Sequence, residues 1–188
     1  MKETAVPPFQ IGGRAVKAGT REVIDLPISL MSNGLAANLR VMVVVGKKPG
    51  PRLFVSAAVH GDEIVGAEII RRLIARPSLR NLRGTLILVP IVNGYGFLNH
   101  SRYLPDRRDL NRCFPGSPSG SLASRMADLF MTEVVSRATH GIDLHTGAVH
   151  RSNLPQIRAQ LDDPETLQLA RQTVDLLCPD PQDLADLA

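Results

Sequence analysis

A histidine and a glutamate stand three residues apart in "VHGDEIVGAEII", directly after an apolar, strand-like stretch. His60 and Glu63 therefore occur where a strand gives way to a helix, so that both side chains can enter one pocket. A second histidine, His145, follows 82 residues after Glu63, in "GIDLHTG". Two imidazoles and one carboxylate, with a fourth coordination position left open, form a ligand set typical of catalytic zinc.

Each of these residues also has a structural interpretation. His60 alone is explained as a helix-start histidine that makes a backbone hydrogen bond, and Glu63 as a first-turn acid favoured by the helix dipole. His145 alone is explained as a structural histidine at a strand end. Asp143 lies two residues before His145 and can share its strand face, where a backbone role and a role in supporting a metal ligand both remain open.

Five segments have the composition of β-strands. Their Val, Ile and Leu content is high, and two of them are continuous apolar runs of the kind found in strands buried on both faces. The predicted strands are residues 21–30, 39–46, 53–59, 84–93 and 141–147, and "KKPGPR" at 47–52 is predicted to be a turn.

Helical spacing of apolar residues alternates with these strands. It runs over residues 63–77 and 122–137, and a long polar loop is predicted over residues 94–120. Alternating strands and helices predict a three-layer α/β/α fold with a mostly parallel central sheet. In such sheets, sites form beyond the carboxyl ends of the strands, where His60 and His145 both stand.

Length and charge indicate how many domains the chain forms and which kind of ligand it binds. The 188 residues predict one domain over 1–188. Residues 1–158 carry 21 Lys or Arg and 11 Asp or Glu, whereas residues 159–188 carry one Arg and seven acids. The excess positive charge of residues 1–158 attracts anions. Because the sequence has no basic patch interleaved with aromatic residues, we expect a small carboxylate ligand and no nucleic acid.

Cysteine usage and hydropathy predict a cytoplasmic protein. Cys113 and Cys178 form no CxxC motif and no disulfide framework, which suits a reducing compartment. The first residues lack the apolar core of a signal peptide, and runs such as "VMVVV" are too short to span a bilayer. We therefore expect no membrane partner. A helix is predicted from about Pro164.

Three motifs in a fixed order carry a family resemblance. They are "HGDE", "RYLPDRRDLNRCFPG" and "IDLHTG", each at a strand end or in the long loop. With them, residues 55–158 resemble the succinylglutamate desuccinylase/aspartoacylase family of the zinc carboxypeptidase-like superfamily. The resemblance implies that Zn²⁺ is bound by His60, Glu63 and His145. It also implies that Asp109 accepts a hydrogen bond from His60 and fixes its tautomer.

The long loop supplies the remaining residues that the resemblance implies. Asn111 and Arg112 would clamp the carboxylate of the substrate, since a guanidinium can make two parallel bonds to a carboxylate. Arg102 would polarise the scissile carbonyl and stabilise the oxyanion. Arg107 and Arg108 are interpreted as solvated loop residues.

The implied reaction is hydrolysis of an N-acyl amino acid, or of a similar amide or ester that bears a carboxylate. The family's general base is a glutamate in a motif beyond the second histidine. Glu165 is the only glutamate after His145, and its surroundings, "DDPET", do not match that motif. The base is therefore unknown, and we expect a C-terminally truncated family domain. A sheet that lacks later strands exposes an edge, which favours homo-oligomers.

Two alternatives remain. The same carboxylate clamp suits a metallocarboxypeptidase that cleaves a C-terminal residue. A truncated or inactive relative would instead bind metal or a carboxylate ligand without turnover.

Overall fold

The computed structural model describes residues 6–30, 34–148, 151 and 153–177. These fall into two units, Met1–Val149 and His150–Ala188. Within the described ranges, no helix is both long and apolar enough to cross a membrane.

A mixed sheet forms the centre of the first unit. The strands of the unit are β1 (Phe9–Ile11), β2 (Arg14–Val16), β3 (Arg21–Leu30), β4 (Ala36–Val45), β5 (Lys48–Ala57), β6 (Arg83–Val89) and β7 (His140–Leu144). The strand order of the central sheet is β3-β4-β6-β5-β7, and a separate hairpin of β1 and β2 precedes it in the chain.

Strand direction divides this sheet into two halves. β3 pairs antiparallel with β4, and β4 pairs antiparallel with β6. β5 pairs parallel with both β6 and β7. The predicted α/β fold is confirmed, but the sheet is mixed, because residues 31–35 are too few for the crossover that a parallel β3–β4 pair needs. The parallel half is the one that carries the predicted metal ligands.

Helices cover both faces of the sheet in the first unit. The buried Ile70 of helix α1 (Val65–Ile74) belongs to one apolar cluster with Val55 and Leu88 of the sheet. Met126 and Phe130 of helix α3 (Leu122–Glu133) belong to the cluster on the other face. The three-layer arrangement is therefore confirmed. The helices are α1 (Val65–Ile74), α2 (Gly94–Leu98), α3 (Leu122–Glu133) and α4 (Pro164–Leu177), with short 3₁₀ turns at Pro77–Asn81, Leu110–Arg112 and Val135–Arg137.

The three parallel strands end at one edge of the sheet. β5 is followed by residues 58–64, β6 by the long segment that contains α2, and β7 by residues 145–148. Ala58 has a φ of 51°, so the chain turns sharply just after β5. This conformation is uncommon for a residue with a Cβ atom, and it directs the following residues across the edge of the sheet.

The second unit contains α4, which begins at Pro164 as the sequence predicted. Asp163 precedes it, and its Oδ2 atom accepts a hydrogen bond from the Thr166 backbone N–H at 2.7 Å. Glu165 lies in the first turn of this helix. Such an acid is favoured by the helix dipole.

Candidate metal centre

The first two predicted ligands lie in one tight turn after β5. The Glu63 backbone N–H donates to the His60 carbonyl at 3.1 Å, which brings the two side chains to the same side. His60 Nδ1 lies 2.7 Å from Glu63 Oε1, and each residue is only 3% exposed. α1 begins at Val65, so Glu63 belongs to the turn and not to the helix that the sequence predicted.

The third predicted ligand reaches this turn from the end of β7. His145 Nδ1 lies 2.9 Å from Glu63 Oε2. The Thr146 backbone N–H donates to the same oxygen at 2.9 Å. One ligand atom from each of His60, Glu63 and His145 lies within 4.8 Å of the others. Motifs 82 residues apart therefore converge on one point.

Each imidazole uses its other nitrogen to contact a second carboxylate. His60 Nε2 lies 3.1 Å from Asp109 Oδ1. His145 Nε2 lies 2.6 Å from Asp143 Oδ2. The Nδ1 atoms of both rings thus face Glu63, while the Nε2 atoms contact Asp109 and Asp143. Asp143, for which the sequence left two roles open, contacts the imidazole.

Asp109 also binds the predicted oxyanion residue. Its Oδ2 atom accepts hydrogen bonds from Arg102 Nε at 3.1 Å and from Arg102 Nη2 at 2.9 Å. Arg102 Nη1 lies 3.8 Å from Glu63 Oε1 and 3.4 Å from His60 Nδ1. The guanidinium is therefore anchored by one edge, and its third nitrogen lies beside the ligand cluster.

Two pKa values in the cluster depart strongly from their ordinary range. Burial tends to raise the pKa of Glu63, but hydrogen bonds from His145, His60 and the Thr146 backbone outweigh it and hold this pKa well below its usual value. Hydrogen bonds to Asp143 and then Glu63 raise the pKa of His145 to about 10, although burial opposes the rise. Without a metal, the cluster is therefore an ionised carboxylate beside a protonated imidazole.

The predicted substrate clamp follows Asp109 in the same turn. The Asn111 backbone N–H donates to Asp109 Oδ1 at 2.9 Å, and Arg112 Nη1 donates to the Asn111 carbonyl at 3.0 Å. Both residues are exposed. Their role in substrate binding stays a prediction.

Other loop residues have structural contacts. Arg108 Nε lies 3.8 Å from Asp106 Oδ2 on the surface. The Cys113 thiol donates to the Asp109 carbonyl at 3.3 Å, which stabilises the 3₁₀ turn.

Sequence reasoning missed two contributors. Thr146 acts through its backbone N–H, which has no signature in side-chain type. Ser56 Oγ donates to Asp143 Oδ1 at 2.6 Å from inside the buried sheet. The available signal was a lone hydroxyl within the apolar run "LFVSAAV".

The donor set fits a divalent metal with nitrogen and oxygen ligands. Two imidazoles and a carboxylate are ligands that zinc accepts in tetrahedral sites. Ligand histidines generally direct their second nitrogen at a carboxylate or a carbonyl, as His60 and His145 do here. His145 has 34% of its side chain exposed, so one side of the cluster is open to solvent.

An α/β/α unit that gathers this cluster at the ends of parallel strands has the zinc carboxypeptidase-like fold. A model of the succinylglutamate desuccinylase/aspartoacylase catalytic domain matches residues 49–178, and the chain belongs to this family. The match extends beyond residues 55–158, over which the motifs had predicted it.

Similar proteins support this assignment. The chain is 32% identical over 144 residues to the N-alpha-acetyl-L-2,4-diaminobutyric acid deacetylase of Halomonas elongata, covering 76% of this chain and 42% of that protein. A succinylglutamate desuccinylase/aspartoacylase from Rhodobacter sphaeroides is similar in structure, with a TM-score of 0.62, 30% identity and coverage of 67% of this chain and 40% of the other. The product-bound ectoine utilization protein EutE (DoeB) from Ruegeria pomeroyi has a TM-score of 0.63 and 29% identity, over 78% and 44% of the two chains.

The chain thus spans less than half the length of these relatives.

Proposed function

We propose that this chain carries the metal centre of a zinc-dependent hydrolase that removes the acyl group from an N-acyl amino acid or a similar carboxylate-bearing amide or ester. The observation that carries the proposal is the convergence of His60, Glu63 and His145, with each imidazole held by a further carboxylate. The family and the similarity to a deacetylase support an acyl substrate.

Zinc would be held by the two imidazoles and Glu63, and when bound it would polarise a carbonyl and lower the pKa of water. Asp109 and Asp143 would keep both imidazoles in the tautomer whose Nδ1 lone pair faces the ligand cluster.

Arg102 would assist at the scissile carbonyl. Asp109 holds one edge of its guanidinium and leaves Nη1 beside the ligand cluster. We expect this nitrogen to donate to the carbonyl oxygen as negative charge develops there, because a fixed donor stabilises an oxyanion most strongly. Asn111 and Arg112 would bind the carboxylate of the substrate and so orient the acyl group.

The general base remains unassigned. The three carboxylates of the described cluster, Glu63, Asp109 and Asp143, each contact an imidazole, so none is given this role. A second candidate function is binding of metal or carboxylate ligands without turnover, because each of these carboxylates is already engaged with an imidazole. The binding steps are therefore tested separately from catalysis.

The first experiment measures zinc per chain in the purified protein beside His145→Ala. We expect about one zinc in the parent and little in the variant, since one of three ligands is gone. The variant should fold, because this side chain is one-third exposed at a strand end. A zinc-free parent after incubation with excess metal contradicts the proposal.

A substrate panel then separates the enzyme classes. It contains N-acyl amino acids, including N-alpha-acetyl-L-2,4-diaminobutyric acid, and short peptides with free C-termini. Hydrolysis of the first group alone supports a deacylase. Cleavage of the peptides alone supports a metallocarboxypeptidase, and tight binding without hydrolysis supports a non-catalytic relative.

A further inference from the structure

Ser56 is a polar residue in the most buried part of the sheet. It lies on β5, is 0% exposed and pairs in register with Asp143 on the parallel strand β7. A buried hydroxyl that lacks a hydrogen-bond partner costs free energy. Ser56 avoids this cost by donating to Asp143 Oδ1 at 2.6 Å.

We propose that Ser56 is a positioning residue of the metal centre and acts on His145 through Asp143. The inference rests on the proposed function, since it concerns the orientation of a metal ligand. Asp143 uses one carboxylate oxygen for each neighbour: Oδ1 accepts from Ser56, and Oδ2 lies 2.6 Å from His145 Nε2. The carboxylate therefore bridges a rigid strand and a ligand imidazole.

The position of Asp143 explains why it needs such a partner. β7 is the outermost strand of the described sheet, and the Asp143 side chain is 34% exposed. A carboxylate this close to water can rotate away from the imidazole, and a donor on the buried neighbouring strand restricts that rotation. The register of β5 against β7 supplies the donor directly opposite.

His60, the other predicted ligand histidine, is held by the same kind of arrangement, formed by different residues. Asp109 faces His60 and is itself held by Arg102 and by the Asn111 backbone N–H. Each imidazole is thus oriented by a carboxylate that a further donor holds. For His145, that carboxylate is Asp143, and the further donor among the described residues is the Ser56 hydroxyl.

The test begins with Ser56→Ala, which removes the hydroxyl and leaves the core otherwise intact. We expect zinc affinity to fall about tenfold, the lower end of the loss typical for direct partners of a ligand, because Ser56 reaches His145 only through Asp143. The visible absorption spectrum of the cobalt-substituted protein should change as well, because His145 is no longer held in one orientation. Thr85→Val is the matched control, since it removes a hydroxyl from a residue of β6 that is 7% exposed, and it should leave affinity and spectrum unchanged.

A double-mutant cycle distinguishes positioning from general packing. If Ser56 acts through Asp143, adding Ser56→Ala to Asp143→Ala should weaken zinc binding by less than twofold further. Equal losses with and without the carboxylate would overturn the inference, because Ser56 would then act independently of Asp143.

Crystal structures of the metal-free parent and of metal-free Ser56→Ala test the same chain without zinc. We expect the Asp143 carboxylate to leave His145 Nε2 in the variant, and an unchanged contact would overturn the inference. If the parent takes up no zinc, the proposed function fails, and this comparison still decides whether Ser56 positions His145.

Discussion

His60 Nε2 lies 3.1 Å from Asp109 Oδ1, although 49 residues separate the two along the chain. The other oxygen of this carboxylate binds two nitrogens of Arg102. One side chain therefore orients a predicted metal ligand and anchors the predicted oxyanion residue. Asp109 is partly buried, with 15% of its side chain exposed, so water replaces neither contact readily.

Asp109→Asn should weaken zinc binding by roughly 10–100-fold, because the neutral amide holds the His60 imidazole less firmly. Competition with a chromophoric chelator measures the affinity. Asp25→Asn is a matched control, since Asp25 also accepts two hydrogen bonds from one arginine, Arg40, on the surface of β3. An Asp109 variant that binds zinc as tightly as this control would contradict the role.

Metal binding should become tighter with rising pH. The pKa of His145 is raised to about 10 in the metal-free protein, first by Asp143 and then by Glu63. A ligand nitrogen must lose its proton before it binds metal. Zinc affinity should therefore rise about tenfold per pH unit between pH 7 and 9, and calorimetry in buffers of different ionisation enthalpy should detect about one proton released per zinc.

The metal-free protein should respond to pH in the opposite direction. A raised histidine pKa contributes stability that is complete below the ordinary value of 6.5 and is lost as pH rises toward 10. The lowered pKa of Glu63 contributes stability above its ordinary value of 4.5 that is lost as pH falls. Urea midpoints of the metal-free protein should therefore decline from pH 6.5 to 10, and a flat profile would contradict the assigned His145 contacts. His145→Ala should lack this decline.

Gly61 sets how closely the turn that holds His60 and Glu63 approaches α2. A Cβ atom at Gly61 would lie 1.9 Å from the Gly96 carbonyl carbon, which is backbone and cannot move aside easily. Gly61→Ala should lower the unfolding free energy by about 3 kcal/mol, the upper end of the usual cost of adding atoms to a packed site. It should also weaken zinc binding, because the turn shifts and displaces His60. Urea unfolding measures the first effect.

Gly94→Ala is the matched control, because a Cβ atom there meets nothing within 4 Å at the start of α2. It should be neutral or stabilising by about 0.5 kcal/mol. Equal stability of the two variants would mean that the turn and α2 do not pack as described.

The strands could be predicted because apolar content marks burial directly, but their start points depend on pairing. The run at 53–59 identifies β5, yet this strand begins at Lys48, inside the predicted turn. Pro49 and Pro51 are typical of turns, but the register against β6 shifts between Lys48 and Arg52. Prolines are tolerated at such irregularities, where the ladder lacks regular hydrogen bonds.

The convergence of the candidate metal ligands could be predicted because their side-chain types mark them in the sequence. His60, Glu63 and His145 stand in motifs whose order and strand-end positions bring them together. Thr146 contributes only a backbone N–H, which any non-proline residue provides. The partner of Ser56 depends on how β5 and β7 align across 87 residues, and no local pattern encodes that register.

Arg112→Lys should weaken binding of an N-acyl amino acid to the zinc-loaded protein by roughly tenfold, because an ammonium cannot make the two parallel bonds that a guanidinium makes to a carboxylate. Titration calorimetry with the tightest-binding compound of the panel measures this loss without requiring turnover. Arg108→Lys is the matched control: Arg108 is exposed in the same loop and lies 3.8 Å from Asp106. Equal binding by both variants would remove Arg112 from the proposed clamp and leave the carboxylate to another cation.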